Sequence, residues 1–376
     1  MIIGIDISSV GYQTGVSNYT LNLVKNLVNI DSKNQYKLFY SSLRLPVPQE
    51  IKDLAKKSNV SLYNFRLPPT LLQILWNQLR LFPIELFIGK CDVFHTSDWT
   101  QPPTTKTKTI STVHDLTPFL HPEWHHQKVI QAHRRKMFWA AKKSNFFICV
   151  SQNTQSDLFK LFPQINPKIT TIIYEAAEDK YSQFLKLTQD QQTKQINSIK
   201  FKYNLKNYIL AQGTREPRKN LDRLVQAFIE FKKDNPKTNI DLAISGKYGW
   251  GEDLSTKNQD IKILGFIPEE DMVPLHAGAI CLAYPSLYEG FGLPIIKSFS
   301  VGIPVITSDN SSLKEIATNA AILVDPTSTK EITQAIEKIV SSPQTQKSLG
   351  QKGIKIAANF SWLKTAQQTL QIYTSL

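Results

Sequence analysis

The chain has 376 residues, 41% of them apolar and 20% charged, which suits two ordinary domains with sizeable cores and excludes a disordered chain. Lys and Arg number 44 against 31 Asp and Glu, a formal net charge of +13. That balance excludes an acidic, solvating protein and points to anionic partners: phosphates, nucleic acid or an anionic membrane surface. The cysteines, Cys91, Cys149 and Cys281, lie far apart without a CxxC pair. No zinc site, redox motif or disulfide framework is therefore expected, and a reducing, cytoplasmic setting fits. The start, Met1 to Asp6, lacks the pattern of a signal peptide, and no apolar run approaches the ~20 residues of a spanning helix. Lying on the inner face of a membrane remains open.

Ile2 to Ile7 reads as a strand, followed by a loop with Gly11 and Gly15. Tyr19, Leu23, Leu27 and Ile30 then recur at helical spacing. Tyr36 to Tyr40, Val60 to Phe65, Val93 to His95, Thr109 to Val113 and Phe146 to Val150 read as further strands. Helices are expected over Gln127 to Lys143 and Gln152 to Phe162. The segment 176–204 is polar and rich in glutamine, and reads as a partly helical linker. The same grammar then repeats: strands at Tyr208 to Ala211, Ile240 to Ser245, Ile261 to Leu264, Ala279 to Tyr284, Pro304 to Ser308 and Ala321 to Val324, and a helix from Asn220 to Lys232. Strands alternating with helices predict two α/β, Rossmann-like, doubly wound domains, over 1–175 and 205–359. Ligands of such sheets bind at the carboxyl ends of strands, so a central cleft between the two is the expected site.

Three stretches carry chemistry. Tyr284 to Pro294 follows an apolar strand, and its Gly290 and Gly292 let backbone approach a ligand closely. Pro294 suits the first turn of a helix, whose N–H groups favour a phosphate. Glu289 stands just before it, placed to accept sugar hydroxyls; a tight strand-to-helix turn with a surface glutamate fits the same pattern. Gly213 to Asn220 also joins a strand to a helix and sets Arg215, Arg218 and Lys219 at a strand's carboxyl end, with Asn220 as the expected helix cap. Charge runs of this kind also occur on solvated faces. Val113-His114-Asp115 ends a third strand, where His114 is either structural or a polarised imidazole.

In this order the motifs resemble the retaining glycosyltransferases of family 4 (glycosyl transferases group 1), of the GT-B fold. Gly265 to Pro268, Gly302 to Ser308, Ser311 to Ile316 and Phe360-Ser361-Trp362 fit as well, so the likeness spans nearly the whole chain. The phrasing leans to mannosyltransferase-type members. The resemblance implies transfer of a sugar from a nucleotide diphosphate sugar to a hydroxyl of a glycan or lipid-linked acceptor, with retention, and with neither bound metal nor cofactor. It implies that Arg218 and Lys219 stabilise the leaving diphosphate. Glu289 would hold the donor sugar, and His114 would bond one of its hydroxyls. Gly15, Gly213, Thr214, Gly290, Phe291, Gly292, Leu293 and Lys297 line up with donor-binding positions. A helix over about 360–376 would return to the first domain.

Three departures matter: Ser17-Asn18 stands where a glycine and a basic residue are common, Ser298-Phe299-Ser300 alters a pattern of small residues, and Lys297 reverses a charge. Lys297 stands where the family has a second glutamate that contacts the nucleotide ribose, and an ammonium only donates. The alternative is thus a catalytically weakened or silent relative acting as a binding or scaffold partner. A Lys297→Glu exchange is expected to tighten nucleotide binding. No nucleic-acid module is recognisable. Lys128 to Lys143 interleaves cations with Phe138 and Trp139; it reads either as an ordinary surface helix or as a contact with an anionic membrane. Leu67 to Phe87, rich in leucine and aromatics, reads as core or as a membrane-inserting stretch.

Overall fold

The computed structural model describes residues 1–12, 14–96, 99–247, 249 and 258–376. The chain divides into two units, Met1–Glu175 with Trp362–Leu376, and Ala176–Ser361.

The first unit is a parallel sheet of β1 (Ile2–Asp6), β2 (Gln35–Ser41), β3 (Val60–Phe65), β4 (Val93–Thr96), β5 (Lys108–Val113), β6 (Phe146–Cys149) and β7 (Thr170–Ile172), in the order β3-β2-β1-β4-β5-β6-β7. All its neighbours pair in parallel, and the order reverses between β1 and β4. Covered on both faces, the strands read as near-continuous apolar runs, which is why they were visible in the sequence. β7 was not: its three residues are all half-buried, too short and too wet to leave a pattern. Where a loop was expected at Gly11 to Gly15, a short 3₁₀ turn spans Ser8–Tyr12 and a helix begins at Gly15. Thr14 caps that helix in a capping box with Ser17. Its Tyr19, Leu23 and Leu27 are buried, while Ile30 stays exposed.

The C-terminal helix Trp362–Ser375 belongs to this unit and packs along the helix Gly15–Ile30. Trp362 and Tyr373 are buried and seat the helix on the unit. Tyr373 OH lies 2.6 Å from His95 Nδ1, and the Thr365 hydroxyl donates to Tyr174 O at 2.7 Å.

The second unit is a parallel sheet of β8 (Asn207–Gln212), β9 (Ile240–Ser245), β10 (Ile261–Gly265), β11 (Cys281–Tyr284), β12 (Val305–Ser308) and β13 (Ala321–Val324), in the order β10-β9-β8-β11-β12-β13. Phe228, Phe231, Leu242, Ile306 and Ile336 fill one core cluster. The segment 176–204 holds two helices, Asp179–Phe184 and Gln189–Lys202, that pack within this unit, so it is more than a tether. The order reverses between β8 and β11. At such a switch point the flanking helices fall on opposite faces and leave a crevice at the carboxyl ends. The two loops there are the glycine-bearing stretches singled out in the sequence.

Candidate active site

The loops after β8 and β11 close on one another. Leu287 N–H donates to Arg218 O at 2.7 Å. The 3₁₀ turn Pro217–Lys219 ends at Asn220, whose backbone is left-handed with φ 56°. That geometry turns its side chain away from the helix it precedes, so the expected cap does not form. The Asn220 amide instead donates to Pro285 O at 2.9 Å and Pro326 O at 2.7 Å, tying three loops together.

This brings Arg218, Lys219 and Glu289 into one buried cluster. Lys219 Nζ donates to Glu289 Oε1 at 2.6 Å and to Tyr284 OH at 2.6 Å, and Tyr284 OH donates to the same Oε1 at 2.7 Å. Arg218 donates to Glu289 Oε2 at 2.5 Å and to Glu216 Oε2 at 2.8 Å. Burial works against the Glu289 charge, but Arg218 and then Lys219 outweigh it and hold the carboxyl down at about 2. Burial, and then Arg218, lowers Lys219 below its ordinary value, with Glu289 opposing. Burial and Glu289 push the Tyr284 phenol well up.

Backbone detail keeps the loops close. Gly213, with φ 151°, lies against the Lys219 stem. A Cβ on Gly246 would fall 1.9 Å from Gly213 O, so only glycine fits there. Gly292, with φ 115°, precedes the helix Leu293–Ser300, and Pro294 lies in its first turn. Gly290, Phe291 and Gly292 are buried, and the Ser312 hydroxyl bonds the Glu289 and Phe291 carbonyls at 2.8 Å each. Thr214 is half-buried and Arg215 buried beside this loop.

Lys297 sits on the helix behind Gly292, but its ammonium points elsewhere. It lies 3.3 Å from Glu178 Oε1, 4.0 Å from Glu269 Oε1 and 5.1 Å over the Tyr181 ring. Burial opposes its charge, yet Tyr181, Glu178 and Glu269 hold its proton more tightly than usual. Next to it, buried His276 bridges Gln212 Oε1, at the end of β8, to Ser298 on the same helix, at 2.8 and 2.9 Å. Gln212 presents a carbonyl oxygen there, so Nε2 carries the proton and Nδ1 accepts from Ser298.

His114 and Gly15 belong to the first unit. His114 follows β5, with Nδ1 3.2 Å from Glu175 Oε1 and its ring edge-on to Tyr19 at 4.6 Å. The carboxylate only accepts, so Nδ1 carries a proton toward it. Nε2 is buried without a hydrogen-bond partner among the described residues. Gly15 opens its helix in open space, where a Cβ would meet nothing. Sequence reasoning missed Tyr284, Glu216, Glu175, Glu178 and His276. Tyr284 and Glu216 lie within the two stretches singled out there, whereas the other three left no signal.

Residues 13–177 match the family described as Glycosyltransferase Family 4, and residues 192–356 match Glycosyl transferases group 1. The chain is 28% identical to O-antigen chain mannosyltransferase B of Escherichia coli over 379 residues, covering 96% of each. Sucrose-phosphate synthase from Thermosynechococcus elongatus is similar in fold, with a TM-score of 0.75 at 16% identity over 100% of this chain and 98% of that one. Anabaena HepE in complex with UDP-glucose gives 0.72 at 17% identity, covering 100% of both. With one family match on each unit and a relative aligned along nearly the whole chain, the protein belongs to the family 4 glycosyltransferases and has their GT-B fold.

Proposed function

We propose that the protein transfers a sugar, mannose by analogy with the O-antigen mannosyltransferase, from a nucleotide diphosphate sugar to a hydroxyl of a glycan or lipid-linked glycan, with retention and without a metal. The observation that carries this is the Arg218–Lys219–Glu289 cluster at the β8/β11 switch point. The HepE structure with UDP-glucose supports the donor class.

Arg218 and Lys219 are now held by carboxylates. A diphosphate entering the crevice competes with Glu289 for both cations, and the N–H groups opening the helix Leu293–Ser300 add to its attraction. Glu289, released in part, accepts the donor sugar's hydroxyls. As the bond from the anomeric carbon to the diphosphate breaks, negative charge builds on the departing phosphate, where the two cations lower the barrier. The acceptor oxygen bonds the same face of that carbon, and its proton passes to the leaving phosphate oxygen. Before donor enters, Arg218 and Lys219 hold Glu289 down at about 2, and its role in the transfer is to position the sugar. His114 Nε2 accepts from a sugar hydroxyl.

A silent binding relative is the competing reading, and Lys297 is its ground. The Glu178 partner weakens that ground, because the reversed charge is compensated on the spot. Incubation with GDP-, UDP- and ADP-sugars, with NMR of the product's anomeric centre, tests the proposal. It expects turnover of one donor with retention; nucleotide binding without turnover across that panel favours the silent relative.

A further inference from the structure

The stretch Leu67 to Phe87 is only half core. Leu72, Trp76 and Ile84 are buried in a cluster with Ile88, Phe39 and Phe94. Leu79, Phe82 and Leu86 are 55%, 49% and 71% exposed, and Ile74 and Leu81 are exposed beside them.

The turn that presents them is firmly held. Leu79 N–H donates to Ile74 O and Leu81 N–H to Leu75 O, each at 2.9 Å. The Trp76 indole donates to Phe82 O at 3.0 Å, and the Arg80 guanidinium donates to Trp76 O at 3.0 Å and Gln101 O at 2.5 Å. Arg80 and Phe82 have φ of 56° and 58°, a left-handed backbone that bulky side chains seldom adopt. Fold stability gives no reason for a strained, hydrogen-bonded turn that points large apolar side chains at water.

The helix Gln127–Lys143 extends the same face. Trp139 Nε1 donates to Asn77 O at 2.9 Å, and the Arg80 guanidinium lies 4.5 Å over the Trp139 ring. Phe138 is exposed next to Trp139, with Lys142 Nζ 4.0 Å over its ring. Ile130, Met137 and Ala140 are buried, as is Lys136, whereas Val129 is exposed. Arg134, Arg135, Lys142 and Lys143 are exposed, and the helix contains no acidic residue.

We infer that this face of the first unit docks on an anionic lipid bilayer. Leu79, Leu81 and Phe82 enter the boundary between headgroups and acyl chains, and Arg134, Arg135, Lys142 and Lys143 meet lipid phosphates. Charge complementarity selects the occupant. Exposed apolar tips flanked by long cations suit a surface that is apolar below and anionic above, and the +13 net charge acts in the same direction. The inference does not depend on the donor reading.

Flotation of the full chain with vesicles of phosphatidylcholine alone, or mixed with phosphatidylglycerol, tests it. The chain floats at least about tenfold more with the anionic vesicles, and high salt releases it. Leu81→Ser with Phe82→Gly lowers that binding about tenfold while the melting temperature holds, since glycine relieves the backbone at residue 82. Arg134→Gln with Arg135→Gln and Lys142→Gln removes the salt-sensitive part. No flotation with anionic vesicles, or flotation that both variants leave unchanged, overturns the inference. Failure to float together with concentration-dependent self-association in sedimentation overturns it in favour of a protein contact.

Discussion

The buried Lys297 Nζ and the half-buried Glu178 Oε1 stand 3.3 Å apart as an ion pair within the second unit, with the exposed Glu269 4.0 Å away. From sequence alone, Lys297→Glu was expected to restore a ribose-binding carboxylate. The pair reverses that expectation. The exchange sets another carboxylate beside Glu178 and removes the ammonium from its Oε1, while Glu269 stays paired with Lys180 at 2.6 Å. Removing one partner of a fully buried pair costs about 3–5 kcal/mol, and the half-buried Glu178 places this loss below that range. Lys297→Glu is thus expected to lower the melting temperature and weaken nucleotide binding. A variant of unchanged stability and tighter affinity on titration would show that the pair carries no such load.

Acid should act on the Arg218–Lys219–Glu289 cluster in a defined window. The folded value of Glu289, about 2, lies below the ordinary glutamate value. Its stabilisation is present above about pH 4.3 and is lost as pH falls toward 2. In magnitude this is roughly 3 kcal/mol. Glu289→Gln should flatten the stability profile between those limits relative to wild type. Parallel urea-unfolding profiles for the two proteins would place the stabilisation elsewhere.

Two buried histidines set a second window. His95 and His276 are each held down at about 3 by burial, with both ring nitrogens engaged by neutral partners. Unfolded histidine titrates near 6.5, so the unfolded chain binds more protons between about 6.5 and 3. Stability then falls as pH drops through that range, by roughly 2–3 kcal/mol per unit from this pair once well below 6.5. Urea unfolding from pH 7 to 5 checks this, and a flat profile contradicts it.

Gly246→Ala tests the backbone seam behind the Gly213 loop. Its Cβ would fall 1.9 Å from Gly213 O, at a φ of 146° that alanine rarely adopts. The expected result is a loss of a few kcal/mol and a displaced Gly213 loop, with nucleotide affinity reduced. Wild-type stability and affinity would mean that the seam yields without cost.

The legible parts share a cause. Parallel strands buried on both faces print apolar runs, and the loops at β8 and β11 carry glycine, proline and charge in short order. Arg218, Lys219 and Glu289 were therefore readable. Glu178, Glu175 and His276 were not, because each matters through a partner distant in sequence, and spacing does not report such contacts. The exposed turn at Leu79 to Phe82 was ambiguous for another reason. An apolar run looks the same whether it is buried or displayed, and only the backbone at Arg80 and Phe82 turns it outward. Of the +13, Arg218 and Lys219 have a place in the proposed donor site, Lys297 is neutralised by Glu178, and the exposed cations of Gln127–Lys143 fall on the proposed lipid face.

The central claim is that Lys219 and Arg218 carry the charge of a departing diphosphate. The most direct test is the turnover of Lys219→Ala against wild type with whichever sugar nucleotide the panel identifies. Loss of a preorganised cation that acts as the bond breaks should cut kcat by about 10²–10³. A kcat within about threefold of wild type, from a protein that still melts cooperatively, would contradict it.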